Sequence, residues 1–281
     1  MLANLFGVEA VARRAVPAQV YFIGSAVFHY LGPAFAVLLF ARVDVLGVAW
    51  LRIASAAVVF AAWRRPWRAV NRLTIQLGVV LAVMNCCFYE AIDRLPLGTV
   101  AAIEFLSVIV LAAFGVRSRR NALALALAVA GVYVLTDVRI AGEPLGLAFA
   151  FANSVLFALY IVLAHRVAQR VKSVDGLGAA MLVALVAVTP LSRWAAAPAL
   201  VDPVALAAGA GVGISSSVIP YVCDQLAMAR LPRATYALMV SLLPATATVI
   251  GIIVLAQLPT AAEVAGVGLV VLGVAFHEGA D

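Results

Sequence analysis

Ten runs of apolar residues follow one another along the 281-residue chain, with short connections between them. A bilayer core is crossed by about 20 apolar residues in a helix. Backbone groups in lipid must find their partners within the chain, which leaves runs of this kind one ordinary solution, the α-helix. Helices are therefore expected at about 18–40, 45–63, 73–92, 97–116, 121–136, 145–164, 176–195, 204–228, 234–256 and 261–277. The fifth is the shortest, at about 16 residues. The expected class is an all-α membrane protein.

Charge agrees. Of all residues 66% are hydrophobic, and only 32 carry charge, 19 basic and 13 acidic. Those charges cannot cover a soluble globule of this length, which excludes a soluble enzyme, a nucleic-acid binder and a disordered chain. Cys86, Cys87 and Cys223 all lie in apolar runs and form no CxxC or metal-ligand pattern, so they read as small buried hydrophobes. No cofactor or metal site is expected. Arg13 and Arg14 precede the first long apolar run without a small-residue cleavage site, so helix 1 is expected to serve as its own insertion signal.

Sorting the basic residues by connection gives a topology. With a cytoplasmic N-terminus, 14 fall on the cytoplasmic side, 4 on the other (Arg42, Arg94, Arg139 and Arg193), and Arg52 alone falls inside a helix. That bias follows the positive-inside rule and supports a multi-pass protein of the cell membrane with both termini cytoplasmic.

The connection after helix 3, Ala91-x-x-Arg94-Leu95-Pro96-x-x-Thr99, recurs after helix 8 as Ala227-x-x-Arg230-Leu231-Pro232-x-x-Thr235, offset by 136 residues. The two copies stand one five-helix unit apart. Five is odd, so the second unit enters the membrane the opposite way up, as in the inverted repeats of secondary transporters. The expected organisation is a cytoplasmic segment over 1–16, one five-helix repeat over 17–140 and a second over 141–281.

The segment Met84-Asn85-x-x-Phe88-Tyr89-x-Ala91-Ile92-x-x-Leu95-Pro96-Leu97-Gly98 resembles the helix 3–4 region of EamA-type carriers of the drug/metabolite transporter superfamily. It continues through Ala101-Ala102-Ile103-Glu104-Phe105-Leu106. The second half agrees through Ser216-Ser217-x-x-Pro220-Tyr221 and Met239-x-Ser241-Leu242-x-Pro244-Ala245. Within the superfamily the chain most resembles the threonine and homoserine exporter group. The resemblance implies ten helices in two inverted repeats and efflux of small metabolites such as amino acids. Six positions in four motifs depart from the usual pattern. Ser107-Val108 replaces Gly-Pro, Leu243 replaces Glu, Ala256-Gln257 replaces Gly-Glu, and Asp224 replaces Glu.

Ionisable groups inside a membrane are costly and point to function. Arg52, Glu90, Glu104 and Asp224 stand out. Glu104 lies about seven residues into helix 4, roughly 10 Å deep. It is a candidate for proton coupling, for binding a substrate ammonium, or for a structural pair with Arg52. Tyr221, Asp224 and Gln225 in helix 8 read either as a polar stripe on a cavity wall or as interhelical hydrogen-bonding groups. His29 is read as a packing residue or a titrating one. Asn85, Tyr89, Asn153, Tyr160 and Tyr236 complete a candidate amphipathic pocket. Pro33, Pro220 and Pro244 free backbone carbonyls and are candidate hinges. Gly209-x-x-x-Gly213 reads as a close-packing motif. Thr260 and Glu263 read as a capping box for helix 10, with Glu263 a cap rather than a functional acid.

The function expected is a secondary carrier, with a small-molecule substrate and the lipid bilayer as partners and no nucleic acid. The alternatives are an intramembrane enzyme and a non-transporting assembly protein. No HExxH or GxSxG motif supports an enzyme, and the inverted repeat favours the carrier. With Arg52 the one cation inside a helix, anionic substrates are disfavoured. Oligomeric state is left open.

Overall fold

Residues 18–115, 118–139, 143–170, 173–220, 223 and 243–276 are described by a computed structural model. Among them the chain is helical, in the order α1 (Ala18–Leu39), α2 (Val45–Trp63), α3 (Arg72–Arg94), α4 (Leu97–Gly115), α5 (Arg119–Arg139), α6 (Pro144–Arg170), α7 (Ser173–Val201), α8 (Pro203–Gly213), α9 (Leu243–Leu255) and α10 (Ala261–Phe276). A 3-10 turn, Pro66–Ala69, sits between α2 and α3, and α8 runs into a π-helical turn over Ile214–Val218. Five helical segments are long and apolar enough to cross a membrane: Val20–Leu39, Val45–Trp63, Arg72–Arg94, Pro144–Ala164 and Asp175–Val201. Shorter apolar helices cover Leu97–Ser107, Pro203–Val218, Leu243–Leu255 and Ala261–Phe276.

Local chemistry sets the helix starts. Asp44 accepts from the Leu46 amide to open α2. Asn71 and Thr74 form a reciprocal capping box for α3. Asp202 accepts from the Val204 and Ala205 amides ahead of α8, with Pro203 in the first turn. The Thr260–Glu263 capping box is formed, with the Thr260 amide 2.9 Å from Glu263 Oε2 and the Glu263 amide 3.2 Å from Thr260 Oγ1. Helix α5 is longer than its apolar run, because the helix takes in the flanking arginines and spans 21 residues. Helices α6 and α7 likewise outrun their apolar windows, and α7 carries Pro190 and Pro198 inside it.

The principal packing joins helices far apart in sequence. α5 packs on α10, α2 on α7 and α8, α3 on α6 and α7, α4 on α6 and α9, and α1 on α9 and the end of α8. Alanine and glycine fill many of the buried positions, which lets backbones approach closely. Large apolar side chains such as Val155, Val186, Leu191 and Ile253 point outward and are more than two-thirds exposed, as lipid-facing residues would be.

The connections gather at two ends. At one end Arg64 pairs with Asp175 at 2.7 Å, Pro66 meets Gly178, and Arg120 Nε donates to the Phe276 carbonyl. At the other, the Leu97 amide donates to Gln257 Oε1, Gly47 abuts the Ala195 carbonyl, and Gly146 abuts Arg94. Arg64, Arg65, Arg68, Arg119 and Arg120 thus share the first end, and Arg42, Arg94 and Arg193 the second.

Candidate functional site

Two clusters of interior polar groups stand out among the described residues. The first is built on α2 and the π turn. Proline has no amide hydrogen, so Pro220 cannot donate to the carbonyl four residues back, on Ser216. Arg52 takes that carbonyl instead. Its Nη2 lies 3.4 Å from Ser216 O, and its Nε donates to Ser217 Oγ at 3.1 Å. The guanidinium also lies over the Tyr89 ring, 5.6 Å from the centroid. Tyr89, on α3, is fully buried and is packed edge-on by Phe40 and Phe88.

This arrangement needs α1 and α2 to lie close to the π turn. A Cβ on Gly32 would stand 2.6 Å from Ser216 Cβ. One on Gly213 would stand 2.6 Å from the Arg52 carbonyl oxygen and would strike Ser55 Oγ. Gly209 abuts Leu51 in the same way, so the Gly209-x-x-x-Gly213 motif is the face that α8 presents to α2. Ser216 Oγ donates to the Val212 carbonyl, and Ser25 Oγ donates to the Pro220 carbonyl at 3.3 Å, tying the turn to α1.

The second cluster joins α4 to α6. Asn153 Nδ2 donates to Glu104 Oε2 at 2.7 Å, with Glu104 7% and Asn153 1% exposed. Ser154 Oγ donates to the Ile103 carbonyl at 2.9 Å, and Ser107 Oγ to the Glu104 carbonyl at 2.7 Å. Tyr30, on α1, is buried in the same apolar cluster as Ile103 and Phe105, the neighbours of Glu104, and is packed edge-on by His29.

Arg52 and Glu104 form no ion pair, so their structural pairing, one of the alternatives read from the sequence, does not occur in this conformation. The structure brings His29, Arg52, Tyr89, Glu104 and Asn153 into one region. Asn85 is buried, and its Nδ2 donates to the Ala49 carbonyl at 3.0 Å, which ties α3 to α2. Tyr160 stacks on Phe157 and lies against an apolar cluster of α2, α3 and α7. Pro33 sits inside α1, and Pro244 in the first turn of α9. Glu90 pairs with Arg94 at the end of α3. Tyr221, Asp224 and Tyr236 lie outside the described residues. Sequence reading missed Ser216, Ser217 and Tyr30 as members. The signal for Ser216 was present, a proline four residues further on in an apolar run.

Residues 144–277 match the family model described as EamA-like transporter family. The threonine/homoserine exporter RhtA of Escherichia coli strain K12 is 30% identical over 252 residues, which is 85% of this chain and 84% of that protein. The threonine/homoserine exporter RhtA of Salmonella typhimurium strain LT2 is 30% identical over 245 residues, 83% and 81% of the two chains. A solved crystal structure at 18% identity shares the fold with a TM-score of 0.62, over 92% of this chain and 95% of its own. Two groups of polar residues buried in an apolar helical bundle, together with relatives matched along most of their length, assign this multi-pass membrane protein to the EamA-like transporter family.

Proposed function

We propose that this chain is a secondary carrier of the cell membrane that exports small metabolites, with amino acids of the threonine and homoserine kind as its substrates. The single observation that carries the reading is an interior arginine and an interior glutamate that do not neutralise each other. Each is held by neutral groups, Arg52 by Ser216 and Ser217, Glu104 by Asn153. Charges so costly to bury are retained for a ligand or a coupling ion. The relatives, threonine/homoserine exporters by name, support the substrate class.

Alternating access is the proposed mechanism, by rocking of an inverted repeat at 17–140 against a second at 141–281. The packing supports it. Adding five to each helix number of the first half turns the pair α3–α7 into α8–α2, α4–α6 into α9–α1 and α3–α6 into α8–α1, all of which are in contact. The pairs α2–α7, α4–α9 and α5–α10 map onto themselves. Two like units in opposite orientation exchange conformations, which yields inward-open and outward-open states around one site. The clustering of arginines at one end supports a cytoplasmic placement of that end and of both termini. The translocation path is proposed to include His29, Arg52, Asn85, Tyr89, Glu104, Asn153, Tyr160, Tyr221, Asp224 and Tyr236, with Pro33, Pro220 and Pro244 as hinges.

The test is reconstitution into liposomes with a panel of labelled amino acids, with and without an imposed pH gradient. Counterflow of threonine or homoserine is the expected result. No flux of any panel member in either direction would refute the reading.

A further inference from the structure

Asn153 Oδ1 and Tyr30 Oη are two of four buried side-chain polar atoms that have no hydrogen-bond partner among the described residues, the others being Tyr89 Oη and Ser192 Oγ. Asn153 and Tyr30 are 1% and 2% exposed. An unpaired polar atom at that depth is expensive and calls for an explanation. The Asn153 amide is oriented by its bond to Glu104. Its Nδ2 donates to Oε2, so its Oδ1 is left as an acceptor. The second Glu104 oxygen accepts from no described residue. Glu104 Oε1, Asn153 Oδ1 and Tyr30 Oη therefore offer three acceptors on three helices, α4, α6 and α1. A primary ammonium carries three N–H donors.

Arg52 shows the complementary surplus. Among the described residues, two of its five N–H groups go to Ser217 Oγ and Ser216 O, which leaves three for the Tyr89 hydroxyl beside it and a ligand. The Tyr89 ring lies beside it, with the guanidinium carbon 5.6 Å from the ring centroid. A planar donor set of this kind suits a carboxylate.

We infer that Glu104, Asn153 and Tyr30 form a pole for a primary ammonium and Arg52 on Tyr89 a pole for a carboxylate, so that a free α-amino acid is recognised by both of its charged ends. The inference rests on the carrier reading of the same site and adds the polarity of the ligand within it. Arg52 and Glu104 sum to zero charge, as does a zwitterion, so the loaded site gains no net charge. A ligand lacking either end leaves one pole without its partner.

The test is binding to the full-length protein purified in detergent, read by ligand-induced thermal shift and titration calorimetry. The probes are L-threonine, N-acetyl-L-threonine (no ammonium) and L-threonine methyl ester (no carboxylate). Each analogue should bind at least about tenfold more weakly than threonine, given the strength of hydrogen bonds to charged groups. Glu104→Gln should weaken threonine and the methyl ester but leave N-acetyl-threonine as it was. Arg52→Gln should weaken threonine and N-acetyl-threonine but leave the methyl ester as it was. The three probes on the unaltered protein test the inference even where a variant fails to fold. Equal binding of all three, or no binding of threonine, overturns it. Threonine flux in liposomes with both analogues accepted equally sinks the two poles and leaves the carrier standing. Pole-selective binding without flux upholds the site and sinks the carrier.

Discussion

Gly213→Ala tests whether the approach of α8 to α2 holds Arg52 in place. The added Cβ would lie 2.6 Å from the Arg52 carbonyl oxygen, where ordinary contact begins near 3.4 Å. The Ser55 hydroxyl in its way can rotate, but the carbonyl is backbone and cannot. The start of the π turn must retreat by about 0.8 Å, the difference between those two distances. Such a retreat along the contact direction carries Ser216 O, at 3.4 Å, and Ser217 Oγ, at 3.1 Å, beyond hydrogen-bond reach of Arg52. Overpacking of this kind costs about 1–3 kcal/mol, or roughly 2–12 °C in Tm for a chain of this size. Gly211→Ala is the internal control. It adds the same methyl two residues away on the same helix, where nothing lies within 4 Å. There the change gains up to about 1 kcal/mol of helix propensity. The assay is thermal unfolding of the purified protein in detergent, paired with threonine export from cells. Gly213→Ala should lower both, and Gly211→Ala neither. Equal Tm for the two variants would refute the close-approach reasoning, as would full export by Gly213→Ala.

Further outcomes follow from the same contacts. Pro220→Ala restores an amide that competes with Arg52 for the Ser216 carbonyl, so export should fall while Tm holds or rises. A drop in Tm with unchanged export would contradict this. Glu104→Gln keeps an acceptor for Asn153 and removes the charge, so any dependence of flux on an imposed pH gradient should vanish. Unchanged dependence would remove Glu104 from coupling. Thr260→Ala breaks the capping box and should cost about 0.5–2 kcal/mol, with export per folded molecule unaltered. Ala256 closes α9 at φ 52°, in the left-handed region, so Ala256→Gly should stabilise by roughly 1 kcal/mol, read as a higher Tm.

Much of the scaffold was legible because hydrophobic length and arginine placement are properties of consecutive residues. The run expected at 45–63 is α2 to the residue, and Glu263 is the cap that its spacing from Thr260 implied. Where helix ends lie beyond the apolar run, as in α6 and α7, hydropathy reports the lipid boundary and not the end of the hydrogen-bonded ladder. The expected helix at 204–228 becomes a π turn after Gly213. That change of register depends on packing against Gly32 and Arg52 and has no local periodicity. The site was half legible. Burial cost marked Arg52 and Glu104 from the sequence, but not their partners. Asn153 is 49 residues from Glu104, and Ser217 is 165 from Arg52. Such pairs are fixed by how distant helices pack, which one sequence does not display.

The Ser216 contact with Arg52 is made by a main-chain oxygen, and this limits what mutagenesis can see. Replacing Ser216 by alanine removes its hydroxyl and leaves the carbonyl where it was. An alanine scan of this segment should register Ser217 and pass over Ser216, although both hold the same guanidinium. Control of that contact is exercised from positions whose side chains never touch it, Pro220 by the hydrogen it lacks and Gly32 and Gly213 by the carbon they lack. Sequence drift in a relative can therefore preserve every polar side chain of the cluster and still detune it.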